Sequence, residues 1–201
     1  MIITRATAAF YDDWAANGQE AERSAISRHF ESAFAPGARV LDVGCGMGRD
    51  LAVLLESGFD AYGVEPHDAM RARAIERHPH LAGRIAAAAL PDVGQPFGGG
   101  FDAIVCSAVL MHVPAHALPA SLAALNAVLA PHARLLMALP EMQADLLVDG
   151  RDPDGRAFAN HAPEHVRRLM ADLGFALSNL MEIAAPSVDT RWRILLFGRQ
   201  D

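Results

Sequence analysis

LDVGCGMGRD, residues 41–50, decides the reading of this chain. Glycines at 44, 46 and 48 follow the short apolar run Arg39–Val43. They precede a stretch in which Leu51, Leu54 and Leu55 share one helical face, with Gly58 as the stop. Strand, glycine turn and helix in that order converge backbone N–H groups and a helix N-terminus on one point, where missing side chains let a ligand approach. The turn alone leaves its occupant open. A pyrophosphate calls for G-x-G-x-x-G, and the third glycine of that pattern falls on Arg49. A purely structural turn needs no ligand at all.

Working outward, strand and helix alternate. Ala61–Val64 reads as a second strand and His67–Arg77 as a second helix; Arg84–Ala87 is a short third strand. FDAIVCS, Phe101–Ser107, is a buried strand, Pro119–Leu129 a helix and Arg134–Leu139 the next strand. Pro163 opens and Gly174 closes a helix, and strands near Ala176–Ile183 and Arg191–Gly198 follow with no helix between them. Upstream, Ile26, Phe30 and Phe34 lie four apart and predict an amphipathic helix over residues 19–35. The alternation predicts one α/β domain, a Rossmann-like three-layer sandwich around a mostly parallel sheet. Ligands of such sheets bind outside the carboxyl ends of the strands where the strand order reverses, which places the glycine turn at the site.

Two carboxylates narrow the ligand. Glu65 ends the second strand in GVEP, where it can accept hydrogen bonds from both hydroxyls of a ribose. Asp42 stands two residues before Gly44, where it would repel a pyrophosphate and suit an ammonium group. A ligand with a ribose, an adenine and a cationic amino-acid end, but no phosphate, is S-adenosylmethionine.

At 201 residues the chain makes one domain, residues 1–201, with 1–35 as an N-terminal helical cap and 140–163 as a long segment suited to a substrate lid. No apolar run reaches the roughly 18 residues of a membrane span, and the first residues do not read as a secretory leader. Two cysteines, Cys45 and Cys106, are no disulfide framework and point to a reducing, cytoplasmic setting. The net charge is −7 and lysine is absent, which excludes Schiff-base lysines and argues against nucleic acid as a partner.

VLDVGCGMGRDL, AYGVEP and FDAIVCSAVLMHVP, in that order and spacing, resemble the first, second and fourth motifs of class I S-adenosylmethionine-dependent methyltransferases. The likeness runs from about Tyr11 to the C-terminus; GCGMGRD, LMHVP, DGRAF and TRW resemble a bacterial small-molecule or tellurite-resistance-like group within the class. The resemblance implies a seven-stranded sheet in the order 3-2-1-4-5-7-6 with strand 7 antiparallel. It also implies cofactor roles for Tyr11, Asp42, Gly44, Cys45, Gly46, Arg49, Glu65, Pro66, Met70, Ala87 and Ser107, with S-adenosylhomocysteine as product. Where many relatives carry an acidic residue for the adenine amino group, this chain reads RIAAAALP, and the glycine pair expected before strand 5 is replaced by LAPHARLL.

The protein's task in such a transfer is to align the acceptor and exclude water, with a base only if the acceptor must lose a proton. His112, just past the fourth strand, is the candidate base, or else a histidine held for structural reasons. Tyr11, His112, Arg151, Arg156 and Trp192 are the expected substrate contacts, with an arginine gripping a carboxylate. No metal is expected: His161 and His165 are four apart, but Pro163 interrupts them. Arg71, Arg73 and Arg77 read as a solvated helix face. The expected acceptor is a small molecule, methylated at N or O by a monomer or homodimer. The alternatives are an RNA (tRNA) methyltransferase, a non-catalytic cofactor-binding module and a nicotinamide oxidoreductase.

Overall fold

The structure, a computed structural model, describes residues 4–18, 23–183 and 190–200. Seven strands form one sheet in the order β3-β2-β1-β4-β5-β7-β6. They are β1 (Arg39–Val43), β2 (Asp60–Val64), β3 (Ile85–Ala86), β4 (Phe101–Ser107), β5 (Leu129–Met142), β6 (Phe175–Ile183) and β7 (Thr190–Arg199). The first five run parallel, and β7 is antiparallel to both β5 and β6. This is the expected α/β, Rossmann-like architecture, down to strand order.

Side-chain alternation along the strands divides the core into two layers. Leu41 and Val43, Ile104 and Cys106, and Leu135 and Met137 face one side, under α5 (Leu118–Ala127) and α6 (Pro163–Asp172). Val40, Ala103, Val105, Leu136 and Ala138 face the other, with Phe30 and Phe34, and with α3 (Arg49–Glu56) and α4 (Asp68–Arg77) packed through Leu51, Leu54 and Ala74. An N-terminal helix, α1 (Arg5–Asn17), crosses the carboxyl end of the sheet and packs through Tyr11, Trp14 and Ala15 on Met47 and Met70.

Two expectations change. The stretch 19–35 does not form one helix: residues 19–22 lie outside the described residues, and the rest gives a 3₁₀ turn, Ser27–His29, running into the single turn of α2 (Phe30–Ala33). Ile26, Phe30 and Phe34 are buried as their spacing implied. Ser27 bonds back to Ser24 through both its N–H and its hydroxyl, a local alternative to helix bonding. Arg71 is not simply solvated, since its guanidinium donates to the Glu65 carbonyl at 2.7 Å. Where the resemblance leads one to expect glycine, His132 takes the left-handed conformation itself (φ 60°), inside β5 at the step where its register with β4 shifts between Leu129 and Arg134.

Candidate active site

The glycine turn is shaped by contacts that a side chain would destroy. Gly44 has φ 70°, and a Cβ there would lie 2.4 Å from Val109. Gly48 enters α3 at φ 82°, and a Cβ there would meet Leu81 at 2.6 Å and Ala74 at 3.2 Å, so its absence lets α4 close on the turn. At Gly46 (φ 55°) a Cβ would meet Met70 at 3.4 Å. The turn is tied to β2 by the Gly44 and Cys45 N–H groups, which donate to the Val64 carbonyl.

Glu65, at the end of β2, faces this turn and is 8% exposed. One carboxylate oxygen accepts from the Gly46 N–H at 3.0 Å and the other from the His67 N–H at 2.9 Å. Burial pushes its carboxyl above the usual range, and the two N–H donors oppose that rise. A carboxylate has about four acceptor positions, so each oxygen keeps one for a further donor. Asp42 is 3% exposed one strand over, and Asp50 is 7% exposed in the first turn of α3.

Beside the turn lies a crevice of two connected lobes that share Tyr11, Gly44, Gly46, Met70 and Ala108. The smaller, about 80 Å³, runs past Glu65 and Pro66 to Ala88, Ala89 and Leu90. The larger, about 430 Å³, is lined by Asp42, Cys45, Arg49 and Ser107 below and by Trp14, Ile26 and Trp192 above. Most residues expected at a cofactor therefore converge here. Ala87 does not: it is exposed, because β3 is only two residues long and the chain beyond it turns Ala88–Leu90 inward instead. Cys45 is 7% exposed, and burial with Asp42 nearby pushes its thiol well above the usual range, which disfavours the thiolate. Ala108, at the end of β4, holds φ 57°, a strained conformation for a non-glycine residue at the centre of the crevice.

Arg151 and Arg156 do not line the crevice. Arg151 donates to the Thr4 hydroxyl and the Gly155 carbonyl. Arg156 pairs with buried Asp152 at 2.6 Å and stacks over Phe10 with its Cζ 4.5 Å from the ring centre. Both arginines hold the 143–162 segment against α1.

That docking brings Tyr11 to His112. Tyr11 Oη and His112 Nε2 are 2.7 Å apart, and His112 Nδ1 is 2.7 Å from the Ala157 carbonyl. A carbonyl only accepts, so Nδ1 carries the proton; in the neutral ring Nε2 is then the acceptor and Tyr11 donates. Burial lowers the His112 pKa below its ordinary 6.5, which favours that neutral ring, and raises Tyr11 to about 12, which keeps its hydroxyl protonated. The Ala157 N–H in turn donates to buried Thr7 at 2.9 Å. Thr7 and Tyr11 are one helical turn apart on α1, so the helix grips residue 157 and His112 with one face.

Sequence reasoning missed Thr7, Asp152 and the Ala88–Leu90 wall. The Thr7–Tyr11 spacing was a readable signal; the Ala157 carbonyl, a backbone group in a loop, had none. His161, considered for metal, instead lies 2.9 Å from two backbone carbonyls. Among the described residues no cluster of three or more His, Cys, Asp or Glu is placed to hold a metal ion, and no helix is long and apolar enough to cross a membrane.

Fold and crevice define an α/β protein whose crevice lies on a glycine turn beside a buried carboxylate. Comparison with known proteins places it: a family described as a methyltransferase domain matches residues 14–180, and the chain belongs to that family. Glycine N-methyltransferase of Oryctolagus cuniculus is 40% identical over 79 residues, 34% of this chain and 27% of that protein. Magnesium-protoporphyrin O-methyltransferase of Synechocystis sp. is 27% identical over 153 residues, 71% of this chain and 65% of that protein. The chain thus spans under two thirds of either curated relative. Among solved structures, the 1,6-didemethyltoxoflavin-N1-methyltransferase of Burkholderia thailandensis superposes with a TM-score of 0.77 at 19% identity, covering 98% of this chain and 88% of its own, a likeness of fold.

Proposed function

We propose that this protein transfers the methyl group of S-adenosylmethionine to a nitrogen or oxygen of a small molecule, releasing S-adenosylhomocysteine. The observation that carries the reading is the buried Glu65 carboxylate bonded to the Gly46 N–H of the glycine turn. Any ligand lying on that turn must meet a carboxylate. With Asp42 and Asp50 also buried around it, the site repels a pyrophosphate and suits hydroxyl and ammonium groups. Membership of the methyltransferase family supports the same conclusion, as does the Burkholderia relative, which was crystallised with S-adenosylhomocysteine and a small-molecule substrate.

The residues present fit the cofactor. Glu65 has a spare acceptor position on each oxygen for the ribose hydroxyls. The Ala88–Leu90 wall, Pro66 and Met70 offer adenine an apolar slot without an acidic partner. Asp42, Arg49 and the turn face the amino-acid end. The cofactor's sulfonium supplies an activated methyl group for direct displacement. The chain's own part is alignment, dryness and proton transfer. Ala108 and Ser107 close the floor, and Trp14 and Trp192 flank the larger lobe, where the acceptor binds. Tyr11 faces both lobes and donates to His112, so a proton leaving the acceptor passes to the Tyr11 oxygen as the Tyr11 proton moves to His112 Nε2. Arg151 and Arg156 line neither lobe; Arg156 bears on the site through Tyr11, whose hydroxyl it acts on electrostatically.

Calorimetric titration with S-adenosylmethionine, S-adenosylhomocysteine and NADH tests the reading. Micromolar binding of the first two without NADH is expected; binding of NADH alone would overturn it.

A further inference from the structure

The chain from Ala157 to His161 lies antiparallel along the 3₁₀ turn Leu110–His112. Alternate residues hold that turn in reverse order. The Ala157 carbonyl accepts from His112 Nδ1 at 2.7 Å, and the Ala159 N–H donates to the Met111 carbonyl at 2.7 Å. His161 Nε2 lies 2.9 Å from both the Leu110 and the Val113 carbonyls. The residues between them anchor the other side. Phe158 is buried with Met111 and Met142, and Asn160 bonds both the N–H and the carbonyl of Met142.

His161 is 9% exposed and does not line the crevice. Carbonyls only accept, so its Nε2 carries a proton shared between two oxygens. One of these, on Val113, stands just past the turn, where a helix end leaves carbonyls without intrahelical donors. The two contacts bracket His112: Leu110 begins the turn and Val113 follows it.

We infer that His161 is a positioning residue for His112, a donor that fixes the turn at both ends so that the His112 ring meets Ala157 with Nδ1 and Tyr11 with Nε2. The inference rests on the proposed role of His112 for its catalytic meaning, but not for its geometry. A residue that merely filled space would be replaceable by any side chain of similar volume. A donor is replaceable by glutamine, whose amide nitrogen reaches about as far as Nε2, and not by phenylalanine or leucine.

The test is long-range ¹H–¹⁵N correlation of the histidine rings in uniformly labelled protein, with His112 assigned by its loss in His112→Gln. The parent and His161→Gln are expected to show His112 protonated at Nδ1 with Nε2 bare. In His161→Phe the His112 signals are expected to move towards the Nε2-protonated form that free imidazole side chains favour. In the same variant kcat is expected to fall about 10- to 100-fold, the scale of an ångström-level misplacement, while affinity for S-adenosylhomocysteine is held. His161→Leu takes the place of the phenylalanine variant if that one does not fold. Unchanged His112 signals in the donor-free variant would overturn the inference, and so would signals in His161→Gln that match those of the donor-free variant. Full activity in His112→Gln would end the base assignment and leave the tautomer comparison to decide the role of His161.

Discussion

Replacing Glu65 with glutamine keeps the shape of the side chain and removes its charge. In the parent, both carboxylate oxygens accept a backbone N–H, from Gly46 and His67. Glutamine can serve only one of them and turns an NH₂ group on the other, and it has one oxygen rather than two for a ribose. The net loss is one hydrogen bond to a charged group, about 1.5–3 kcal/mol, or roughly 10- to 150-fold in affinity for S-adenosylhomocysteine. The unliganded fold should lose less, because removing the charge also removes the cost of burying it, which raises the carboxyl pKa in the parent. The difference is legible in thermal melts. Ligand at about 100 times the parent Kd stabilises the parent by about 2.7 kcal/mol; with Kd raised about 30-fold the same concentration gives about 0.9 kcal/mol. At about 2–4 °C per kcal/mol for a chain of this size, the ligand-induced rise in Tm should shrink to about a third. The chain's two tryptophans, Trp14 and Trp192, both line the crevice, so intrinsic fluorescence gives an independent titration. A 2′,3′-dideoxy analogue of the ligand completes a double-mutant cycle: its penalty should be large in the parent and nearly absent in the variant. Equal penalties in both proteins would refute contact between Glu65 and the ribose.

Three further outcomes follow from the same geometry. If neutral His112 takes the acceptor's proton, log kcat should be flat near neutrality and fall with unit slope as pH drops through a value below 6.5, since burial lowers that pKa; in Tyr11→Phe this limb should vanish along with most of the activity, whereas a parent limb above pH 7 would contradict the assignment. Gly48→Ala and Gly58→Ala impose similar backbone strain (φ 82° and 83°), but only at Gly48 does the new Cβ meet neighbours, so its Tm should fall several degrees further; equal melts would show that the tight packing of α4 on the turn is inconsequential. Asp152→Ala removes the acceptor of the Arg156 side chain and of the Asp154 and Arg156 N–H groups, and should speed proteolysis of the 143–162 segment more than it lowers global stability; a uniform loss of protection would place Asp152 in the general fold instead.

What the sequence made legible follows from where local pattern and tertiary packing agree. β1 and β4 are apolar runs buried on both faces, and their bounds match the sequence reading residue for residue. That the glycine turn, Asp42 and Glu65 meet at one crevice was readable because their places are fixed by spacing from a strand end. The 19–35 segment misled because apolar residues four apart satisfy a long helix and a pair of short turns equally well, and Ser24 and Ser27 supply the competing bonds. Arg151 and Arg156 fall outside the crevice lining for another reason: a loop arginine's partners are set by the fold, and here they are the N-terminal segment and its own loop. The contact of Tyr11 with His112 joins residues 101 positions apart through a backbone carbonyl at Ala157, and no spacing rule encodes such a partner.

The central claim concerns what lies on the glycine turn, and a crystal structure of the complex with S-adenosylhomocysteine tests it most directly. The account predicts both ribose hydroxyls within about 2.6–3.2 Å of the Glu65 carboxylate, adenine against Ala88–Leu90 and the amino group towards Asp42. A nucleoside bound elsewhere, or a ribose turned away from Glu65, would contradict it.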